Sequence, residues 1–115
     1  MVQDPREILL GAYREFNARE LDAALARMHP DVMWPNGMEG GFVYGRDGVR
    51  DYWTRQWKTV DPNVEPLDIR EDEAGRWMVE VHQVVRDLAG NLLLDKVVRH
   101  AYRIENGLIV RMDIE

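Results

Sequence analysis

The residues from His100 to Glu115 read HAYRIENGLIVRMDIE, and Asn106-Gly107 separates two runs that alternate in polarity. An Asn-Gly pair favours a type I′ turn, because both central residues of that turn need φ > 0. The sequence therefore predicts a two-residue β-hairpin in which His100 faces Asp113. Residues directly opposite in a hairpin have Cβ atoms roughly 4.5–5.5 Å apart, so we expect an imidazole and a carboxylate side by side.

The alternation extends upstream and predicts strands over residues 64–71, 76–87, 92–105 and 108–114. The odd positions of 76–87 are the more apolar and should face the core. In the next strand Arg99 and Arg103 should point outward, which turns His100 and Tyr102 inward and brings Asp113 with them. An unpaired buried charge costs several kcal/mol, order of magnitude, so this pair needs mutual contact or a polar cavity. The outer face then carries Met78, Val84, Ala101, Val110, Met112 and Ile114.

The first half of the chain has a helical pattern. Asp4-Pro5 is typical of a helix start, and the apolar face that follows comprises Ile8, Leu9, Ala12, Tyr13 and Phe16. A second helix with Leu21, Ala24, Leu25 and Met28 inward should stop before Pro30. Residues 32–34 form a short strand, 37–45 a glycine-rich loop, and about 47–57 a third helix. Helices first and antiparallel strands later indicate an α+β fold.

Composition narrows the classes of function. The 115 residues suit a single domain, 1–115, and the absence of cysteine rules out disulfide and thiolate chemistry. A net charge of −6 argues against nucleic-acid binding. No apolar run approaches the ~18 residues of a membrane span, and no signal peptide is visible, so we expect a cytoplasmic protein. No His, Asp and Glu trio has metal-ligand spacing, and neither a metal nor a cofactor is expected.

Three phrases resemble the SnoaL-like branch of the NTF2-like superfamily. They are His29–Trp34 (HPDVMW), Gly45–Trp53 (GRDGVRDYW) and the closing hairpin with Glu105–Ile109 (ENGLI). The resemblance covers nearly the whole chain. It implies a cone-shaped fold, with three N-terminal helices packed on a curved antiparallel sheet around a pocket, and a homodimer formed through the outer sheet face. The superfamily includes polyketide cyclases, ketosteroid isomerases, epoxide hydrolases and binding domains, so the fold alone does not fix the chemistry.

His100 and Asp113 resemble the histidine and aspartate that act in proton transfer in the family's cyclases. Tyr13 lies near the place of the oxyanion-hole tyrosine of ketosteroid isomerases. In those enzymes the tyrosine is paired with a protonated aspartate, which is the second hydrogen-bond donor. Those isomerases carry their base near the first strand, where this chain offers Asn36, with Glu39 nearby, and an asparagine cannot act as a base. The other reading of the His100–Asp113 pair is purely structural, as a lock on the hairpin.

Pockets for small ligands are mostly apolar with a few polar groups. Candidate substrate-binding residues are Phe16, Trp34, Asn36, Trp53, Trp57 and Tyr102. Core packing is the plainer explanation for Phe16 and Trp53, and a turn is the plainer explanation for Asn36.

Three functions follow as hypotheses. The first is a cofactor-free isomerase or cyclase that moves a proton on a small apolar carbonyl compound. The second is a binding or dimerisation module without turnover. The third is epoxide hydrolysis through Asp113 with Arg111.

Overall fold

The structure is a computed structural model that describes residues 4–115. Its elements follow in the order α1 (Pro5–Asn17), α2 (Leu21–Ala26), β1 (Met28–Pro35), β2 (Phe42–Tyr44), α3 (Gly45–Thr59), β3 (Val60–Glu71), β4 (Trp77–Asp87), β5 (Leu92–Glu105) and β6 (Leu108–Ile114). The predicted α+β class is confirmed. No helix within the described part of the chain is long and apolar enough to cross a membrane.

The strands form one curved sheet in the order β2-β1-β6-β5-β4-β3. All neighbours are antiparallel except β1 and β6, which run parallel. The expectation of a wholly antiparallel sheet is therefore wrong at this one pairing. Helices α1 and α2 precede the first strand, whereas α3 lies between β2 and β3, so the helices are not all N-terminal to the sheet.

Helix α1 begins as its sequence predicts. The Asp4 carboxylate accepts a hydrogen bond from the Arg6 backbone N–H at 2.9 Å, and Pro5 occupies the first turn. Helix α2 ends at Ala26, two residues earlier than Met28, which the helical pattern had included. Met28 instead pairs with Ile109 and begins β1, and it is fully buried there.

Two strand boundaries also differ from expectation. Residues 42–44 lie in the predicted loop, yet they pair with the end of β1 as a three-residue edge strand. At the opposite edge of the sheet β3 starts at Val60 and includes Pro62 and Pro66. Prolines are compatible with an edge strand, because one side of such a strand needs no donor.

The predicted turn at Asn106-Gly107 is confirmed, with φ of 52° and 78° at the two residues. Ile104 faces Ile109, as predicted. The register then shifts between Arg103 and Ile104, so that Arg103 faces Arg111. One residue of β6 is therefore left over at this point, which is the definition of a β-bulge.

The bulge reverses the faces of the end of β6. Asp113 lies opposite Ala101, and His100 lies opposite Ile114. Because opposite residues point to the same face, Asp113 and His100 leave opposite faces of the sheet. The predicted His100–Asp113 contact is wrong, and so is the prediction that Met112 and Ile114 lie on the outer face. The physical reason is that the shift buries Met112, which is 3% exposed, and leaves the charged Arg111 and Asp113 outside.

The inward face of the longer strands is as predicted. Val79 and Val81 of β4 are fully buried, and His100 and Tyr102 of β5 face the helices with exposed fractions of 7% and 2%. These strands pack against the apolar faces of α1 and α3 in one core, which includes Ile8, Leu9, Tyr13, Val49, Tyr52 and Trp53. An interior space remains at one end of this core.

Candidate functional site

A cavity of about 290 Å³ lies between α1, α3 and the inner face of the sheet. Its wall is largely apolar. The polar side chains at the wall are Tyr13, Tyr52, Gln56, Gln83, His100 and Tyr102. A mainly apolar wall with a few polar groups is typical of a small-molecule site.

Tyr13, His100 and Tyr102 form a hydrogen-bonded chain at the wall of this cavity. The Tyr102 hydroxyl donates to the Tyr13 hydroxyl at 2.8 Å, and the Tyr13 oxygen lies 2.8 Å from Nδ1 of His100. The Tyr13 and His100 rings are nearly parallel, at an interplanar angle of 12°. The sequence singled out all three residues but did not predict that they contact one another.

Burial determines the protonation of these groups. It lowers the pKa of His100 to about 4, so its imidazole is neutral at pH 7. Burial also raises the pKa of Tyr13 and of Tyr102, so both hydroxyls keep their protons. The three groups are therefore an uncharged donor chain near neutral pH.

The aromatic residues predicted as a pocket wall fall into two groups. Phe16, Trp34 and Trp53 line the cavity, and Trp34 and Trp53 meet edge to face at 5.5 Å between ring centroids. Trp57 does not line the cavity and packs against this wall from behind. The centroid of its ring lies 5.4 Å from that of Phe16 and 5.8 Å from that of Trp53. Its indole N–H is buried and has no partner among residues 4–115.

Asn36 does not reach the cavity. Its side-chain oxygen accepts hydrogen bonds from the backbone N–H groups of Met38 and Glu39, at 3.1 and 2.9 Å. Its amide group donates to the Glu39 carboxylate at 3.3 Å. The residue therefore holds the turn after β1, which is the plainer of the two readings that its sequence context allowed.

Asp113 lies outside the cavity as well. Its carboxylate accepts two hydrogen bonds from the Arg111 guanidinium, at 2.7 and 2.9 Å, on the outer face of the sheet. The Arg111 hydrogen bond holds the pKa of the Asp113 carboxyl below its usual range. At the cavity wall, the hydrogen-bond partner of His100 is therefore Tyr13 and not the predicted Asp113.

Sequence reasoning missed Tyr52, Gln56 and Gln83 as wall residues. The Tyr52 hydroxyl accepts a hydrogen bond from the Gly37 N–H at 3.0 Å and so anchors the loop after β1. A signal for Gln83 was present, because it is the one polar residue among the odd positions from Trp77 to Val85 of β4. Within the described range, no group of three His, Cys, Asp or Glu side chains could hold a metal ion.

Comparisons with known proteins agree with this architecture. The model of the SnoaL-like domain matches residues 10–112. The crystal structure of TerC, co-crystallised with polyporic acid, is 26% identical, with a TM-score of 0.82 over 95% of this chain and 88% of TerC. None of the curated proteins matches the chain.

Two more distant structures share the fold alone. A Sinorhizobium meliloti protein proposed to be a polyketide cyclase is 19% identical, with a TM-score of 0.80 over 95% of this chain and 94% of its own. RV0760c from Mycobacterium tuberculosis, in complex with estradiol-17beta-hemisuccinate, is 18% identical, with a TM-score of 0.82 over 97% and 93%.

Proposed function

Because this chain belongs to the SnoaL-like family of the NTF2-like superfamily, a family of cyclase and isomerase type, we propose that it binds a small, largely apolar carbonyl compound and promotes proton transfer on it. The observation that carries this proposal is the chain from Tyr102 through Tyr13 to His100, which ends at the cavity wall. No cofactor enters the proposal.

The positions of the hydrogens in this hydrogen-bonded series of three residues determine which group faces the ligand. Tyr102 donates its single hydroxyl hydrogen to Tyr13. We assign the tautomer of His100 in which the Tyr13 hydroxyl in turn donates its hydrogen to Nδ1. A neutral imidazole that accepts at Nδ1 carries its proton on Nε2. This nitrogen has no partner among the described residues and is not sealed off, and His100 lines the cavity. The chain therefore presents an Nε2–H donor to a ligand.

A neutral imidazole N–H can polarise a carbonyl group. When the C–H bond beside a carbonyl breaks, negative charge develops on the carbonyl oxygen, and a donor aimed at that oxygen stabilises it. His100 would supply this hydrogen bond, and the α-proton would pass to a water molecule or to a basic group of the ligand itself. No carboxylate lines the cavity within residues 4–115, so we assign no protein side chain as the base.

The apolar wall supports a ligand with ring character. Trp34, Trp53 and Phe16 supply aromatic faces and edges, and aromatic pairs prefer offset or edge-to-face contacts. TerC was co-crystallised with polyporic acid, and RV0760c with estradiol-17beta-hemisuccinate. Both neighbours support the proposal of a small apolar ligand for this chain.

Hydrogen–deuterium exchange tests the proposal. The probe is 2-acetylnaphthalene in D₂O, and the measurement is deuterium entry into its acetyl group by NMR. We expect the protein to accelerate exchange and His100→Gln to reduce the acceleration by about 10²-fold, the usual effect of removing such a donor. His29→Gln is the matched control, because His29 lies on β1 away from the cavity wall. Equal exchange with His100→Gln and with the unaltered protein would contradict the proposed role of His100.

A binding module without turnover is the second candidate. The observation that favours it is the absence of a carboxylate base at the cavity wall, within the described residues. Saturable binding of the ketone, measured by quenching of tryptophan fluorescence, with no exchange above the buffer rate would select this function. The geometry gives no support to epoxide hydrolysis, since Asp113 and Arg111 lie on the outer face.

A homodimer through the outer sheet face remains a proposal. Val97 is 54% exposed there, on the same face as Met78 and Val84, and exposed apolar surface often marks an interface. Light scattering after gel filtration should show a dimer, and Val97→Glu should shift it towards monomer. Leu10→Glu, an exposed position on α1, is the control and should leave the dimer intact.

A further inference from the structure

A second polar group lies at the end of the cavity away from His100. Gln83 of β4 and Gln56 of α3 line the cavity, and neither amide makes a hydrogen bond to another described residue. Their amide atoms are also not sealed from solvent. Both amides are therefore available to a ligand, in contrast to Tyr13 and Tyr102, which are occupied by one another.

Lys96 lies next to Gln83. It lies directly opposite Gln83 in the β4–β5 ladder, so both side chains leave the sheet on the cavity side. Lys96 is exposed and does not itself line the cavity, but its long side chain leaves the sheet on the cavity side next to Gln83, which does. No carboxylate among residues 4–115 lies within ion-pair distance of it. The neighbouring Asp95 pairs with His82 at 2.6 Å. Asp87, the acid that faces Val60 at this end, is occupied by the N–H groups of its own turn.

The two polar ends are separated by a definite length of strand. His100 and Lys96 are four residues apart on β5, and a strand rises about 3.3 Å per residue, so their rungs are roughly 13 Å apart. Val98 lies between them and contributes to the core. A ligand that meets both ends must therefore be elongated, with an apolar middle.

From this arrangement we propose that the ligand carries an anionic oxygen group, such as a carboxylate, at the end opposite to its carbonyl. Lys96 and the amides of Gln83 and Gln56 bind that group, while His100 binds the carbonyl oxygen. The inference rests on the proposed function and narrows its substrate class to aromatic keto acids. A lysine without an ion-pair partner among residues 4–115, together with two unused amide donors, matches an anionic oxygen better than a neutral group, because hydrogen bonds to ionised acceptors are the stronger ones.

A rigid pair of probes separates this inference from the proposed function. The probes are 6-acetyl-2-naphthoic acid and 6-acetyl-2-naphthamide, which share one shape and differ in charge. Isothermal titration calorimetry gives Kd for each. We expect the acid to bind about tenfold more tightly than the amide, and Lys96→Gln to abolish that preference while leaving Kd for the amide within about twofold.

Lys58→Gln is the matched control, since Lys58 is the only other lysine of the chain and lies on α3. It should retain the preference for the acid. Equal affinity for the two probes, with binding that still depends on His100, would overturn the anionic-group inference and leave the proposed function standing. If neither probe binds at millimolar concentration, both proposals fail.

Discussion

The Tyr13 hydroxyl lies 2.8 Å from Nδ1 of His100 and so joins the first helix to the fifth strand inside the core. Both side chains are more than nine-tenths buried. A buried hydrogen bond costs more to break on one side than it contributes as a pair, because the remaining partner stays without water.

Tyr13→Phe should lower the free energy of unfolding by about 1–3 kcal/mol, since it leaves Nδ1 of His100 and the Tyr102 hydroxyl without partners. Urea denaturation followed by tryptophan fluorescence measures the change. Tyr44→Phe is the control, because Tyr44 is 67% exposed, and it should change stability by less than about 0.5 kcal/mol. A Tyr13→Phe variant as stable as the control would show that the hydroxyl chain contributes nothing to the fold.

The protein should become less stable as the pH falls, because the buried His100 takes up a proton less readily than the same residue in the unfolded chain. Its pKa is about 4 in the folded protein and 6.5 as the ordinary value, so the unfolded chain binds the extra proton between these limits. The free energy of unfolding is therefore unaffected by the titration of His100 above pH 6.5. It decreases as the pH falls towards about 4, by roughly 3 kcal/mol at most. His100→Gln should remove this part of the acid sensitivity and leave the part due to carboxylates. An NMR titration of the His100 ring with a midpoint at or above 6.5 would contradict the prediction.

The bulge in β6 predicts opposite outcomes for two adjacent residues. Met112→Asp buries a charge against Tyr102 and should destabilise the protein by at least about 3 kcal/mol. Asp113→Ala removes only an ion pair on the outer face and should cost about 1 kcal/mol or less. Thermal unfolding of the two variants compares them directly. Ketone binding should be unchanged in Asp113→Ala, and a loss of binding there would place Asp113 at the site after all.

A larger side chain in the cavity wall should fill the space that the ligand needs. Ala12 lines it from α1 and has an exposed fraction of 8%, and Ala12→Leu should weaken 2-acetylnaphthalene binding by about tenfold or more by occupying the ligand's space. Leucine is nearly as good a helix former as alanine. Ala23→Leu, at an exposed position of α2, should leave Kd unchanged. Fluorescence titration measures both variants, and similar affinities would mean that the ligand binds elsewhere.

Gly11 should resist replacement although it lies inside a helix. A Cβ built there would lie 2.4 Å from the Arg27 guanidinium, which two hydrogen bonds at 2.6 and 3.0 Å hold on Glu15. Alanine normally gains about 1 kcal/mol over glycine in a helix, but here we expect Gly11→Ala to destabilise by about 1–2 kcal/mol, since Arg27 must move. Urea denaturation tests this. A more stable Gly11→Ala variant would show that Arg27 moves at no cost.

Local sequence signals predicted much of this fold because they depend on neighbouring residues only. The Asn106-Gly107 turn, the bounds of β5 and β6, the cap at Asp4 and the inward direction of His100 belong to this group. The bulge does not, because it depends on how β6 meets its neighbours. Its signal was nevertheless present: Met112 and Ile114 alternate with Arg111 and Asp113, so the apolar set changes parity after Ile109.

The candidate site shows the same division. Tyr13, His100 and Tyr102 were identified individually. Their contacts are distant in sequence, however: Tyr13 is 87 positions from His100 and 89 positions from Tyr102. Only the relative placement of α1 and β5 brings them together. The Met28 boundary is another long-range effect, since helix α2 gives way to β1 where Ile109 offers a strand partner.

The two edges of the sheet also bear on how the protein behaves in concentrated solution. At one edge β2 is only three residues long, and at the other β3 places Pro62 and Pro66 where an approaching strand would seek amide hydrogens. An exposed edge with all its donors invites another chain to add to the sheet, and short or proline-bearing edges discourage it. The molecule is thereby protected against edge-to-edge aggregation.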